Sequence, residues 1–192
     1  MKKITILVAL FCIVATAFCQ RATFREYGFY GTASYNFSTN LNRKDYQSLL
    51  NGITLTGGFQ IRPKTCIELG VGFLADSKGV FTQVPITVGL RTHYLNNWIT
   101  PFTDLYAGYS LPLKTLGSDA DGHRMKVGQG GVTVGVNVGA RISMSHKWAI
   151  NAYVGWHFFM VNDLEVYTAD NFPIAKDVFG AQCLKIGLGV MF

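Results

Sequence analysis

Charge is scarce in this chain: only 15% of its residues are Asp, Glu, Lys or Arg. The 17 basic residues outnumber the 11 acidic ones, but they are dispersed, with no run and no helical stripe. A nucleic-acid-binding protein concentrates its cations on one face, so the distribution argues against that partner. The net charge of +6 is read as solvated surface, and Lys2 and Lys3 belong to a leader described below. Long apolar runs are also missing beyond that leader. Nothing there approaches the roughly 20 continuous apolar residues of a membrane helix, so any membrane crossing must use strands. Of the 4 cysteines, Cys12 and Cys19 fall in the leader. Cys66 and Cys183 remain, without a CxxC or a His/Cys ligand spacing. A zinc site is therefore not supported, and neither a metal nor another cofactor is expected. The two thiols are placed on non-neighbouring strands and are expected to be packed rather than bridged, although an exported pair could form a disulfide.

Glycine and aromatics are what the chain has in quantity, with 21 Gly, 14 Phe and 9 Tyr. That composition fits a sheet protein in contact with something apolar. The start, Met1-Lys2-Lys3 followed by an apolar run from Ile4 to Val14 and mostly small residues to Cys19, has the layout of a secretory signal peptide. Cleavage after Cys19 is favoured over cleavage after Ala17, and a lipidated Cys19 is disfavoured by the bulky Phe18 before it. The expected organisation is a signal peptide at 1–19 and one barrel domain at 20–192, a length of about 170 residues that suits a single domain.

The end of the chain is its most informative stretch. In LKIGLGVMF, Leu184, Ile186, Leu188, Val190 and Phe192 are apolar and alternate with Lys185, Gly187 and Gly189. Strict alternation marks a strand with one apolar face. A strand running to the last residue suits a barrel in lipid, where the last strand must pair with the first to leave no edge.

Eight such segments are read, and no good helix. They cover about 26–38, 51–62, 65–75, 80–94, 98–111, 127–144 and 148–161, with a final strand after 177. The sixth is the cleanest: Val132, Val134, Val136, Val138, Ala140 and Ile142 alternate with Thr133, Gly135, Asn137, Gly139, Arg141 and Ser143. Each segment is near or above the roughly 9–11 residues of a tilted membrane strand. Tight turns follow the second, fourth and sixth. A short hairpin follows the third, and longer loops at 39–50, 112–126 and 162–177 follow the first, fifth and seventh. Short turns on one side and longer loops on the other are the layout of an outer-membrane barrel with both termini periplasmic. Tyr94, Trp98, Trp148 and Phe192 are expected at one membrane boundary, and Phe37, Phe73, Tyr109, Phe158 and Phe179 at the other. The fold class is all-β: an eight-stranded antiparallel up-and-down transmembrane β-barrel preceded by a cleaved signal peptide.

The terminal Phe192 at the end of its alternating strand resembles the assembly signal of bacterial outer-membrane barrels. The stretch VPITVGLRTHYLNNWITPFTDLYAGYSL, with Pro85, Arg91, Tyr94, Pro101, Phe102, Gly108 and Tyr109, resembles the porin-like barrels of Bacteroidota. The whole chain after the leader is similar to the small outer-membrane β-barrels of Gram-negative bacteria, in the broad class of the OmpX, OmpA-transmembrane-domain and opacity-type barrels. The resemblance implies an integral outer-membrane protein, with lipid as its surroundings and the outer-membrane assembly machinery as a partner during biogenesis. It is diagnostic of architecture and says little about activity. A monomer is expected, and no extracellular partner is named.

A functional site could lie in the lumen. Glu68, Arg91 and Asp104 fall on three consecutive strands at similar heights, and Arg141 and Lys185 also point inward. Buried charges are tolerable only when paired, so a network of salt bridges filling a narrow barrel is expected over an ion path. His157 is the one plausible general base, but Phe159 stands where lipid-A-deacylating barrels place a serine. No catalytic residue is assigned. Gly70-Val71-Gly72-Phe73-Leu74-Ala75 fits a nucleotide-binding fingerprint only in letters, because a hairpin and not a helix follows. Asp119-Ala120-Asp121-Gly122 lacks the remaining ligands of a calcium loop. The expected function is non-enzymatic, in envelope integrity or in adhesion through the loops. A narrow porin-like channel, a lipid-A-modifying enzyme and a secreted lipocalin-like binder are the alternatives.

Overall fold

The structure, a computed structural model, describes residues 28–41, 49–62, 64–77, 82–95, 97–113, 117–118, 124–145, 147–167 and 173–192. The expected leader lies outside them, as do His123, His146 and the Asp119–Gly122 motif. The strands are β1 (Gly28–Asn40), β2 (Leu49–Arg62), β3 (Thr65–Asp76), β4 (Thr82–His93), β5 (Ile99–Leu113), β6 (Gly117–Ser118), β7 (Arg124–Gln129), β8 (Gly131–Ser143), β9 (Ala149–Tyr167) and β10 (Pro173–Met191). Eight of them, β1–β5 and β8–β10, form a closed antiparallel barrel in which each strand pairs with its neighbour in sequence. Closure is made by β10 on β1, in register from Thr32↔Met191 to Asn40↔Cys183. β6 and β7 form a small hairpin that pairs with the far end of β9.

The faces are inverted relative to a soluble barrel. Outward positions carry Ile53, Leu55, Phe59 and Ile61 on β2 and Ile67, Leu69, Val71 and Phe73 on β3, all exposed. Leu69 is 64% and Leu188 63% exposed, values that in water would mark an aggregating surface. Inward positions carry Thr32, Ser34, Asn36 and Ser38 on β1 and Gln83, Arg91 and His93 on β4, all buried. The period-2 alternation along each strand produces this division directly. From Ile53 to Ile61, at about 3.3 Å per residue and a tilt of about 40°, the apolar band is roughly 20 Å tall. That height suits the hydrocarbon layer that outer-membrane barrels cross.

The two barrel ends differ. At one lie Gly28, the first described residue, Phe192 and the tight connections 63–64, 94–98 and 144–148. The last is fixed locally by Ser145, whose Oγ accepts from the amides of Lys147 (3.2 Å) and Trp148 (3.1 Å). Tyr94, Trp98, Trp148 and Phe192 are exposed at this end. At the other end lie the connections after β1, β3, β5 and β9, with Phe37, Phe73 and Tyr109 exposed near it.

Three sequence expectations need correction, all at that second end. Residues 162–167 and 173–177, expected in a loop, are strand: β9 runs to Tyr167 and β10 starts at Pro173, paired from Tyr167↔Pro173 onward. A strand beyond lipid needs no apolar face, so the alternation stops there while the backbone pairing continues. Residues 112–126 likewise contain the end of β5, all of β6 and the start of β7. The sixth segment, expected unbroken over 127–144, is interrupted at Gly130. Four steps from Gln129 to Thr133 face three steps from Asn162 to Phe159, which makes a β-bulge. Gly130 fits it because a Cβ there would lie 2.7 Å from the Tyr109 ring, and Asn162 Nδ2 donates to its carbonyl at 3.2 Å.

Candidate functional site

The lumen is packed by a repeated device. Tyr30 stands opposite Gly58, Tyr106 opposite Gly135 and Tyr153 opposite Gly187 in the cross-strand registers. In each pair a Cβ on the glycine would collide with the tyrosine, so the ring lies flat across its neighbour strand. The hydroxyl then reaches the strand beyond. Tyr30 donates to Glu68, Tyr153 donates to Asn36, and Tyr106 Oη lies 2.9 Å from His157 Nδ1. These three contacts tie β1 to β3, β9 to β1 and β5 to β9, bracing the barrel across non-adjacent strands.

Between them lies the charged centre. Arg91 Nε is 3.1 Å from Glu68 Oε1, and Arg91 Nη2 is 3.7 Å from Asp104 Oδ2. Asn137 Nδ2 donates to the same Asp104 oxygen at 3.0 Å. The guanidinium also stacks over Phe102, 4.7 Å from its ring centroid. Arg91 and Asp104 are a cross-strand pair, and Glu68 lies on the other neighbouring strand, so one arginine serves two carboxylates. All three are buried.

The other two charges expected here are inward but held differently. Lys185 lies across the cavity, its Nζ 4.9 Å from the Tyr106 ring centroid and 5.5 Å from that of Tyr153. Arg141 is buried and donates to Thr100 Oγ1, its cross-strand neighbour, at 3.2 Å. A cavity lined by Glu68, Arg91, Asp104, Tyr106, Asn137 and Lys185 measures about 60 Å³. A water needs roughly 10–15 Å³ on this measure, so this cavity has room for about four to six waters.

His157 is buried against Tyr106 and Phe159, with the Tyr106 and His157 rings stacked at 5.9 Å. Its Nδ1 is taken up by the Tyr106 hydroxyl at 2.9 Å. Cys66 and Cys183 are both free and buried, and Cys66 Sγ lies 3.8 Å from His93 Nδ1. Gly70 and Gly72 sit in mid-strand on β3, far from any phosphate-cradling geometry. Among the described residues, no group of three or more His, Cys, Asp or Glu could hold a metal ion.

Leu184, Ile186, Leu188 and Val190 on β10, and Phe192 just after it, all face outward. Phe192 exchanges backbone hydrogen bonds with Gly31, N to O at 2.9 Å and O from N at 2.8 Å. Its ring packs on Trp148 at 5.8 Å and covers Gly31, where a Cβ would meet it at 2.6 Å. The sequence reading missed the roles of Tyr30 and Tyr106. Their signal is an inward aromatic facing an inward glycine, which appears only once the register is known.

The sequence matches no protein-family model and no curated protein. Solved structures do match in shape. Neisserial surface protein A aligns with a TM-score of 0.60 at 9% identity, over 87% of this chain and 96% of its own. The outer membrane protein AlkL, determined in lipid bilayers, aligns at 0.57 and 12% identity, over 91% and 93%. The N-terminal β-barrel domain of Pseudomonas aeruginosa OprF aligns at 0.51 and 11% identity, over 90% and 100%. At such identities the likeness concerns the fold alone. By closure, strand order and inverted faces, this chain has the fold of the small eight-stranded outer-membrane β-barrels.

Proposed function

We propose that the protein is an integral outer-membrane barrel with a non-enzymatic role, structural or in surface interaction, contributing to envelope integrity or to adhesion through its loop-bearing end. The observation that carries this is the inversion of the faces around a filled lumen. The lipid-height apolar band gives the barrel its solvent, and the braced, ion-paired interior leaves it no wide path. Gly28 and Phe192 lie at the tight-turn end, which in this reading is periplasmic, with both termini. Assembly then runs through the terminal strand and Phe192, and the working state is a monomer. Recognition is assigned to the other end, because loops on a rigid scaffold are where binding is usually placed. The engagement of His157 with Tyr106, and Phe159 two residues on, favour a non-catalytic interior. A polar lumen of this size also disfavours a lipocalin-like binder.

Planar-bilayer conductance of the refolded protein tests the reading, together with extraction from membranes. Silence or brief small events are expected, with release only by detergent. Large, stable single-channel steps would replace this function with a channel, and release by salt or alkali would remove the protein from the membrane altogether.

A further inference from the structure

We propose that a pocket at the tight-turn rim binds one anionic phospholipid, with its phosphate on Lys147 and Ser145 and an acyl chain against Trp148 and Phe192. The pocket has a volume of about 390 Å³ and lies beside the β8–β9 turn. The proposal rests on the membrane-spanning reading above, in which this rim stands at the headgroups of the periplasmic leaflet.

The first argument is that both faces of the barrel wall line the pocket. Gln60 and Ser143 are inward residues, 2% and 8% exposed, whereas Phe29, Trp148 and Phe192 are exposed on the outer face. One wall is therefore polar, and the other continues into the apolar band. A phospholipid presents those two surfaces along one molecule. The Trp148 and Phe192 rings, with centroids 5.8 Å apart, offer the chain a wall at the boundary where such rings settle.

The second argument is charge. Lys147 lines the pocket and is exposed, as are Arg62 and Lys64 on the neighbouring 63–64 turn. Among the described residues, no acidic side chain is exposed at this end. An anionic headgroup meets cations without a competing carboxylate, whereas a zwitterionic one brings a cation that finds no partner here.

The third is hydrogen-bonding capacity. Ser145 Oγ accepts from the amides of Lys147 and Trp148, which leaves its own proton to donate to a phosphate oxygen. Ser143 Oγ, on the inner wall, has no hydrogen-bond partner among the described residues. The turn is also held rigidly, because Trp148 O accepts from the amides of Met144 at 2.9 Å and Ser145 at 3.1 Å. Lys147 and Ser145 are thus presented together. Size is no obstacle: at roughly 10–15 Å³ per water, the pocket has room for about 25–40 waters, well above the about ten heavy atoms of a phosphoglycerol group.

Tryptophan quenching in vesicles tests this. In the full chain, Trp98→Phe and Trp156→Phe leave Trp148 as the sole tryptophan. The protein is refolded in phosphatidylcholine vesicles that contain equal fractions of either brominated phosphatidylglycerol or brominated phosphatidylcholine. Trp148 should report at least about a threefold preference for the phosphatidylglycerol, and Lys147→Gln should reduce it to near one. A variant keeping only Trp98, which lies on the 94–98 connection outside the pocket, should report no preference. Equal preference at the two tryptophans would mean diffuse attraction and overturn the site. No preference at Trp148, or one that survives Lys147→Gln, would overturn it as well. Displacement by soluble glycerol phosphate would make a free phosphate the ligand and overturn the lipid. Absence of quenching by either brominated lipid would instead refute the membrane-spanning reading itself.

Discussion

Arg91→Leu should destabilise the barrel severely, and the size of the effect follows from its surroundings. Among the described residues, Arg91 is the single cation paired with both Glu68 and Asp104, at 3.1 and 3.7 Å, and all three side chains are buried. Leucine would leave two carboxylates facing each other with no counter-charge in van der Waals reach. Breaking a buried pair by removing one partner costs about 3–5 kcal/mol. The stacking on Phe102 adds about 0.5–2 kcal/mol. Against this, the adjacent cavity admits a few waters, and Lys185 lies across it as a distant cation. A loss near 4 kcal/mol is expected, measured as urea unfolding of the refolded protein in lipid vesicles. The triple variant Glu68→Gln, Arg91→Leu, Asp104→Asn separates charge from packing. It removes both orphaned carboxylates and should recover at least half of the loss. If Arg91→Leu lay within 1 kcal/mol of the parent, or the triple variant were as unstable as the single one, the ion-paired centre would not be what fills this lumen.

Gly187→Val should cost about 2–4 kcal/mol in the same assay, because it evicts Tyr153 from its seat and breaks the hydroxyl contact with Asn36. Gly57→Val, outward and with nothing within 4 Å of a new Cβ, should be neutral or slightly stabilising; equal losses for the two would refute the seating of the tyrosines. Val136→Arg places a charge in the middle of the outward face of β8 and should impair folding into vesicles by about 2–4 kcal/mol, whereas a normal yield would argue against a lipid-facing surface. Deleting Phe192 removes two backbone hydrogen bonds to Gly31, worth about 1–3 kcal/mol in vitro, yet should deplete folded protein from the membrane in cells far more than that loss explains. Undiminished assembly in cells would dismiss the terminal signal.

What the sequence displayed was whatever lipid and short turns dictate. The alternation of Val132 to Ile142 was legible because every second residue must meet hydrocarbon. The approach of Glu68, Arg91 and Asp104 was legible because 63–64 and 94–98 are tight connections that fix the register of three strands from one end. Lys185 and Arg141 could be placed inward by parity, but their contacts could not be read. Lys185 meets Tyr106 and Tyr153 only after β10 has closed onto β1 and curvature has brought opposite walls together. Tyr30 was obscured for a related reason: in YGFYG the aromatics at 27, 29 and 30 satisfy either parity, and only the pairing with Gly58 assigns the last of them inward.

The same reasoning explains why the strands at the loop-bearing end went unread, and why that end matters. Outward residues are accounted for by lipid, and inward ones by the need to fill and neutralise a narrow lumen. Neither requirement extends beyond the rim. β1 ends at Asn40 and β4 begins at Thr82, near the height where the apolar band stops. β9, however, continues to Tyr167, β10 begins as early as Pro173, and β7 adds a third strand beside them. Along this projection, pairing of β10 with β1 has already ended at Asn40↔Cys183. Holding ordered strands outside the membrane costs conformational entropy that insertion does not require. A barrel needed only to span would end its strands at the rim, so the projecting sheet is the part of the fold that calls for a role outside it. If recognition lies at the loop-bearing end, as proposed, substitutions that alter binding to a partner should concentrate on the β7–β9–β10 side, and their even spread around the rim would count against that assignment.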